Sequence, residues 1–427
     1  MNKVAWVIPS LNTGIGKYTK IVKEYLEKFL NFYIFNAEEK FDSEVLSDFS
    51  TIVYNFGNTY QSLLLYSAIR KYPGIVILHD RTYQHFFAYY YLEYLKRPDL
   101  YYKALSYIYG DYVAQYAETQ NKSGVLIWET EDCIKYPMRE LIYPYATAVI
   151  VHSKNYLEMV SEEYNGISIY LPVPFKMYDA GLDKKFDRKK LNLPDKKIIL
   201  LSYGFMSKNR IIGVEEILKL IGENEEIRRN VFYVIAGNVN DKYLDEINSI
   251  VKYYGLDENV RILCGYISDD ELCQYLTVSD MCINLRIYNT EGMSWSVLEQ
   301  MSSGKVVLAF NKGFFSELPD NTLIKLENID QLKEKFLKII FNPSILKNFG
   351  ENAKRYVLEQ FNPDFFMRSF LSFIEKFSLE INKKKVLKGL SRDLINLIPA
   401  MPDAIEDRLL SAISKDFCEV FLEEKES

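Results

Sequence analysis

Two glutamates eight residues apart, Glu291 and Glu299, flank the stretch of this sequence best suited to chemistry. Residues 288–310 read as a loop, a helix and a short apolar strand. Ser294 can cap the first turn of the helix, and Gly304 can end it. The amides of Gly292, Met293 and Ser294 then stand at a helix N-terminus, where backbone N–H groups and the helix dipole favour anions. Carboxylates on either side can accept hydrogen bonds from hydroxyls while the amides hold a phosphate. The combination suits a phosphorylated sugar.

Three further groups have the right types for such a ligand. The apolar run 3–9 leads into Ser10-Leu-Asn-Thr-Gly-Ile-Gly-Lys17, a glycine loop that opens a helix. A dinucleotide fingerprint would need a third glycine where Thr19 stands. A phosphate-binding P-loop would need Ser or Thr where Tyr18 stands. Both classes are disfavoured. His79 and Asp80 end the apolar run 75–78, at the strand end where open α/β sheets place ligand groups. Lys208 and Arg210 follow another strand and offer positive charge. The acidic turn Trp128-Glu-Thr-Glu-Asp132 reads as solvated.

These groups need a scaffold of alternating strands and helices, and the pattern supplies it twice. Strands are expected at 3–9, 32–35, 51–54, 74–78, 124–127, 147–152 and 168–173, and again at 197–202, 231–236, 260–264, 281–285, 305–310 and 323–326. Helices are expected between them, among them 138–145, 154–163 and the segment opened by the capping box Ser268-Asp-Asp-Glu271. Two prolines close the first array, and the polar stretch 178–190 links it to the second. The reading is an α/β chain of two Rossmann-like, doubly wound domains facing a cleft. The domains are 1–178 and 190–362, followed by a helix at 363–379 and a helical tail at 380–427.

Bulk composition narrows the classes. Of 427 residues, 48% are hydrophobic, enough for large cores rather than disorder. A net charge of -6 argues against a nucleic-acid partner. Five cysteines show no CxxC pair, so neither a disulfide framework nor a zinc site is expected; Cys264 and Cys282 read as core thiols. No acidic pair stands where a metal-binding transferase would need one, and neither metal nor cofactor is expected. No apolar run reaches the roughly 18 residues that span a bilayer, and the N-terminus lacks a signal-peptide core. The chain reads as cytoplasmic, compatible with peripheral contact at the cytoplasmic membrane face. The tyrosine-rich stretch 83–116, with His85 in it, reads as packing.

Taken together, the order and spacing of these motifs resemble the retaining GT-B glycosyltransferases of family 4, the glycosyl transferases group 1. The resemblance runs from the Gly14/Gly16 loop to about residue 378 and is most specific over 291–304, which matches a Glu-x7-Glu motif followed by Met301-Ser-Ser-Gly304. It implies a hexosyltransferase using a nucleotide sugar, UDP- or GDP-linked, and a saccharide or lipid-linked acceptor in glycan biosynthesis. It implies that Glu299 binds the ribose, that Glu291 contacts the donor sugar, and that Gly292, Met293 and Ser294 meet the diphosphate. Arg210, with Lys208, would stabilise the departing diphosphate. Gly14, Gly16 and Gly204 would line the donor, Gly265 and Tyr266 would border the base, and His79 would lie near the transferred sugar. The helix at 363–379 would cross back to the first domain.

The sequence departs from the family at two places. Arg210 stands at the position of the family's lysine, and Trp295 stands where a smaller residue is common. A nucleotide-sugar epimerase of the same fold and an inactive sugar-nucleotide-binding subunit are the alternatives. The base, the sugar, the acceptor, the oligomeric state and the roles of 83–116 and 380–427 are not set by the sequence.

Overall fold

A computed structural model describes residues 3–176, 186–206 and 208–395. The chain forms two compact units. The first comprises 1–174, 290–293 and 363–427, and the second comprises 175–289 and 294–362.

The first unit carries a six-stranded parallel sheet in the order β2-β1-β3-β4-β5-β6. Its strands are β1 (Lys3–Ile8), β2 (Asn31–Asn36), β3 (Thr51–Phe56), β4 (Gly74–Leu78), β5 (Ala146–Val151) and β6 (Ile167–Tyr170). The central β4 and β5 are buried along their whole length, as expected of strands covered on both faces. Helices α1 (Gly14–Leu26), α2 (Leu63–Lys71) and α3 (Lys154–Glu163) connect them. Leu78, Val149, Tyr66 and Phe86 belong to one core cluster.

The expected strand at 124–127 does not form. β4 pairs directly with β5, with Ile75 opposite Ala148, and this leaves no slot between them. The segment between β4 and β5 is instead a helical excursion, in which 127–129 is a single tight turn and Val125 is exposed. The expected helix at 138–145 is likewise two short turns, Arg139–Leu141 and Tyr143–Tyr145, the second with Pro144 in its first turn. The excursion is held by aromatics. Tyr66 meets Phe86, Phe87, Tyr90 and Tyr145 at centroid distances of 5.6, 5.2, 5.3 and 6.1 Å, mostly edge to face. His85 does not take part in this packing; its side chain is exposed.

A buried cation braces the excursion. Arg139, 1% exposed, forms an ion pair with Glu163 at the end of α3, and its Nη1 donates to the carbonyl of Arg81. Tyr143 Oη donates to Glu163 at 2.9 Å, and the guanidinium lies 5.5 Å from the Tyr156 ring centroid. The C-terminal helix, Pro363–Ile395, runs without interruption and belongs to this unit. Phe370 packs on Trp6 at 5.7 Å, and Phe366 on Tyr18 at 5.9 Å. Lys385 donates to the carbonyl of Phe49, and Lys388 to those of Tyr143 and Pro144.

The second unit repeats the plan in the order β12-β11-β10-β7-β8-β9, again parallel. Its strands are β7 (Ile198–Tyr203), β8 (Val231–Gly237), β9 (Val260–Cys264), β10 (Met281–Ile283), β11 (Val306–Phe310) and β12 (Ile324–Leu326). Helices α4 (Lys208–Glu223), α5 (Asp241–Tyr254), α6 (Asp269–Val278) and α7 (Trp295–Ser302) lie among them. Ser268 caps α6 by accepting from the Glu271 N–H, as the capping box predicts. Cys282 is buried in β10, but Cys264 is exposed, because β9 is the edge strand and Cys264 is its last residue.

Arg139 is buried while Glu163 is exposed, so removing the guanidinium forfeits its packing and hydrogen bonds rather than stranding a buried carboxylate, at about 1–3 kcal/mol. Arg139→Ala is therefore expected to move the urea transition of the first unit to clearly lower concentration. Arg139→Met, which keeps the volume without the charge, leaves Glu163 to water and is expected to rescue part of the loss. Urea denaturation followed by far-UV circular dichroism checks both.

Candidate functional site

In the second unit the candidate residues gather at the C-terminal edge of the sheet, where the order reverses between β7 and β10. Ligands of open α/β sheets bind at such a switch point. β7 ends at Tyr203 and Gly204, and β10 is followed by Asn284 and Arg286, both buried. Gly204 N–H donates to Ala236 at 3.0 Å and Gly265 N–H to Gly237 at 3.0 Å, so the ends of β7, β8 and β9 form one edge. Tyr266, next along the chain, is 91% exposed.

Arg210 lies in the first turn of α4 with its guanidinium buried, and its Nη1 donates to the carbonyl of Tyr203. Lys208, two residues earlier in the same turn, is exposed. Glu299 is buried on α7. Its Oε2 accepts from Tyr203 Oη at 3.0 Å, and its Oε1 from Trp295 Nε1 at 2.9 Å. Ser294 is buried at the start of α7, and its hydroxyl lies 3.3 Å from Arg286 Nη2 and 3.2 Å from the Ser296 hydroxyl. Arg286 in turn donates to Asn284, whose amide donates to Gln300 and Ser296.

One residue here went unrecognised in the sequence. Asn209 is buried, accepts from the Tyr288 N–H at 3.0 Å and donates back to the Tyr288 carbonyl. This reciprocal pair fixes the first turn of α4, and so Arg210, to the loop that precedes α7. An asparagine between two cations at a helix start is the only local trace of that role.

The remaining candidates lie in the first unit. His79 and Asp80 follow β4, and Glu291 forms an isolated antiparallel bridge with Asp80. Arg81 N–H donates to the Thr290 carbonyl at 2.7 Å, and Gly292 N–H to the His79 carbonyl at 2.8 Å. A side chain at Gly292 would come within 2.9 Å of that carbonyl and 3.1 Å of the Tyr156 ring, so only glycine allows this approach. The expectation that the Gly292 amide serves a diphosphate is therefore corrected: its hydrogen is committed to His79. Residues 290–293 are grouped with this unit, so Glu291 and Glu299 sit on different units despite their close spacing in sequence.

Gly16 allows α1 to start hard against the preceding loop, since a Cβ there would lie 2.1 Å from the Leu11 carbonyl oxygen. Gly14 has open space where its side chain would be. Thr13 caps the helix by accepting from Gly16 N–H at 3.3 Å.

His79 has two aromatic neighbours. The Tyr18 ring lies 5.1 Å away and the His152 ring 5.3 Å, and Tyr18 and His152 are 5.3 Å apart. His79 Nε2 lies 3.1 Å from Asn55 Oδ1 and His152 Nδ1 2.7 Å from the Leu171 carbonyl, so each imidazole donates from that nitrogen. Burial pushes the pKa of His152 down to about 4, against the opposing pull of the Leu171 carbonyl. Burial, and then the neighbouring His152, hold His79 well below the usual imidazole range.

Both imidazoles are thus neutral in the folded protein at pH 7, while an unfolded chain takes up protons near pH 6.5. Between about pH 6.5 and pH 4 the unfolded state binds more protons, so stability falls as the pH is lowered. For His152 the loss reaches up to about 3 kcal/mol at pH 4. His152→Phe is expected to flatten this part of the pH dependence, as read from urea midpoints at a series of pH values for both proteins.

Comparison with known proteins fits this architecture. Residues 183–356 match the family model described as glycosyl transferases group 1. An uncharacterized glycosyltransferase of Methanocaldococcus jannaschii, MJ1069, is 26% identical over 239 residues, 52% of this chain. That match covers 57% of the archaeal protein, so less than two thirds of its length is spanned. Among solved structures, sucrose-phosphate synthase from Thermosynechococcus elongatus superposes with a TM-score of 0.61 at 15% identity, over 88% of this chain and 99% of that one. HepE of Anabaena, solved in complex with UDP-glucose, gives 0.59 at 13% identity, over 88% and 100%. Residues 183–356 thus resemble the glycosyl transferases group 1, and the two parallel sheets give the chain the GT-B fold of these solved structures.

Proposed function

We propose that the protein transfers a hexosyl group from a nucleotide sugar, UDP- or GDP-linked, to a saccharide or lipid-linked acceptor, with retention at the anomeric carbon. The observation that carries this reading is the setting of Glu299: a buried carboxylate at the switch point of the second sheet, on the helix whose N-terminus opens the Glu-x7-Glu loop. In this reading Glu299 accepts from the ribose hydroxyls. The amides of Met293 and Ser294 and the side chains of Arg210 and Lys208 meet the diphosphate. Glu291 and His79 act on the transferred sugar.

The chemistry asks for little beyond charge placement. The bond from the anomeric carbon to the diphosphate oxygen breaks, its electron pair going to that oxygen, as the acceptor oxygen bonds to the same carbon and its hydroxyl proton passes to the departing diphosphate, on which negative charge develops in the transition state. Positive groups fixed in advance where that charge develops stabilise the transition state more than the ground state. The Arg210 guanidinium is buried and held by the Tyr203 carbonyl, so it needs no reorganisation. Its planar fork suits phosphate oxygens. No helix among the described residues is long and apolar enough to cross a membrane, and action at a cytoplasmic membrane face is part of the proposal.

A thermal-shift screen of nucleoside diphosphates and nucleotide sugars tests the reading, since a ligand of the folded state raises apparent stability. HepE was solved with UDP-glucose, which puts the uridine series first. One base series is expected to raise the midpoint. Arg210→Ala is expected to lower kcat by about 10²–10³-fold with the fold intact, the scale for loss of one preorganised charge-stabilising group, and EDTA to leave activity unchanged. Full activity in Arg210→Ala would remove the diphosphate assignment.

A further inference from the structure

Two tyrosines at the C-terminal edge of the first sheet meet from separate segments and stay open to solvent. Tyr60 follows β3 and is 61% exposed, and its ring lies 5.6 Å from that of the half-buried Tyr89. Both stand on pinned turns. Asn58 N–H donates to Asp80 Oδ2 at 2.8 Å, and Asn58 Oδ1 accepts from Phe86 N–H at 3.0 Å, so Asn58 ties the turn after β3 to the segment after β4. The Ser62 hydroxyl closes the same turn by donating to the Gly57 carbonyl at 2.7 Å. Tyr89 opens a π-helical turn, Tyr89–Tyr94, and Leu95 N–H reaches back five residues to the Tyr90 carbonyl at 2.9 Å. Such turns are rare, and they recur at functional sites.

We propose that Tyr60 and Tyr89 form an aromatic platform for a pyranose ring of the acceptor, a subsite apart from the residues assigned to the donor. The inference rests on the proposed transfer to a saccharide. It narrows the acceptor to one whose sugar reaches this platform. A pyranose has an apolar face of C–H groups and a rim of hydroxyls. The face fits an aromatic surface whose polar tips stay wet. The rim fits the residues next to Tyr60. Gln61 Nε2 donates to Glu38 Oε1 at 2.8 Å, and an amide and a carboxylate are groups that hold hydroxyls. A carboxylate in that place also opposes a phosphate-bearing lipid headgroup and favours an uncharged ring.

The platform gives a role to tyrosines that the core does not use. Tyr66, Phe86, Phe87 and Tyr90 bury their rings in one cluster, whereas Tyr89 meets Tyr60 outside it. A single exposed aromatic is ordinary, but a pair assembled from two pinned turns and rimmed by polar groups marks a binding surface. His79 and Asp80 follow β4 in the same unit, and Asp80 is bound to Asn58. The platform therefore continues the edge that carries the residues assigned to the transferred sugar.

The test is saturation-transfer NMR of the full chain, with and without UDP or GDP, against the methyl glycosides of glucose, mannose and galactose and against maltose and cellobiose. The wild type is expected to bind at least one of these sugars. Tyr60→Ala and Tyr89→Ala are each expected to raise its Kd by about threefold to tenfold, the scale of one aromatic contact. Tyr60→Phe, which keeps the ring, is expected to retain most of the affinity. Tyr112→Ala, at a tyrosine 78% exposed elsewhere in the first unit, is expected to change nothing. An unchanged Kd in either platform variant, an equal loss in Tyr112→Ala, or a wild type that binds none of the sugars overturns the platform. Tyr60-dependent binding of phosphatidylglycerol vesicles in place of the sugars overturns it in favour of a membrane surface. Tyr60-dependent sugar binding by a chain that binds neither UDP nor GDP leaves the platform standing and removes the proposed donor class.

Discussion

Every neighbouring pair of strands in the two sheets runs parallel, and this constraint governs the rest of the molecule. Parallel strands need crossover connections, so all the strand ends of one sense gather at a single edge of each sheet. That edge exposes peptide groups that the ladder does not satisfy, and glycine turns, helix starts and short polar side chains meet them there. In the first sheet the edge collects the Gly14/Gly16 loop, His79, Asp80 and His152. In the second it collects Gly204, Arg210, Gly265 and Glu299. The candidate residues are gathered by topology before any particular side chain is considered.

Much of this arrangement was legible because its signals are local. The run into Ser10-Leu-Asn-Thr-Gly-Ile-Gly carries strand period, turn and helix start within fifteen residues, and α1 begins at Gly14. The spacing from Glu291 to Gly304 likewise held α7 and the strand after it. Other features are decided at a distance and left little local trace. The apolar run 124–127 has the composition of a strand, but β5 already occupies the flank of β4 that it would need. Cys264 looks like a core thiol until the sheet order makes β9 an edge. Asn209 acquires meaning only through Tyr288, which is far along the chain, and the Gly292 amide is claimed by a carbonyl more than two hundred residues before it.

The two buried histidines show how one fold turns burial into chemistry. Each imidazole donates to a neutral oxygen, the side-chain amide of Asn55 for His79 and the Leu171 carbonyl for His152, which accepts the hydrogen bond without requiring a charge on the ring. Packing on Tyr18 and against each other then makes the protonated forms unfavourable. The edge of the first sheet thus carries neutral imidazoles, while the second unit carries the buried guanidinium of Arg210.

The composition of the first unit also has a consequence for how the protein is made. Its core is split along the chain: residues 1–174 come first, but Phe366 and Phe370, which pack on Tyr18 and Trp6, come only after the second unit. Roughly 190 residues separate the two parts, which at about 5–20 residues per second is on the order of 10–40 s of synthesis. During that interval Trp6 and Tyr18 lack their final cover, while the second unit can close before the chain ends. The faces of Trp6 and Tyr18 that Phe370 and Phe366 cover are therefore the last part of the first unit's core to be completed during synthesis.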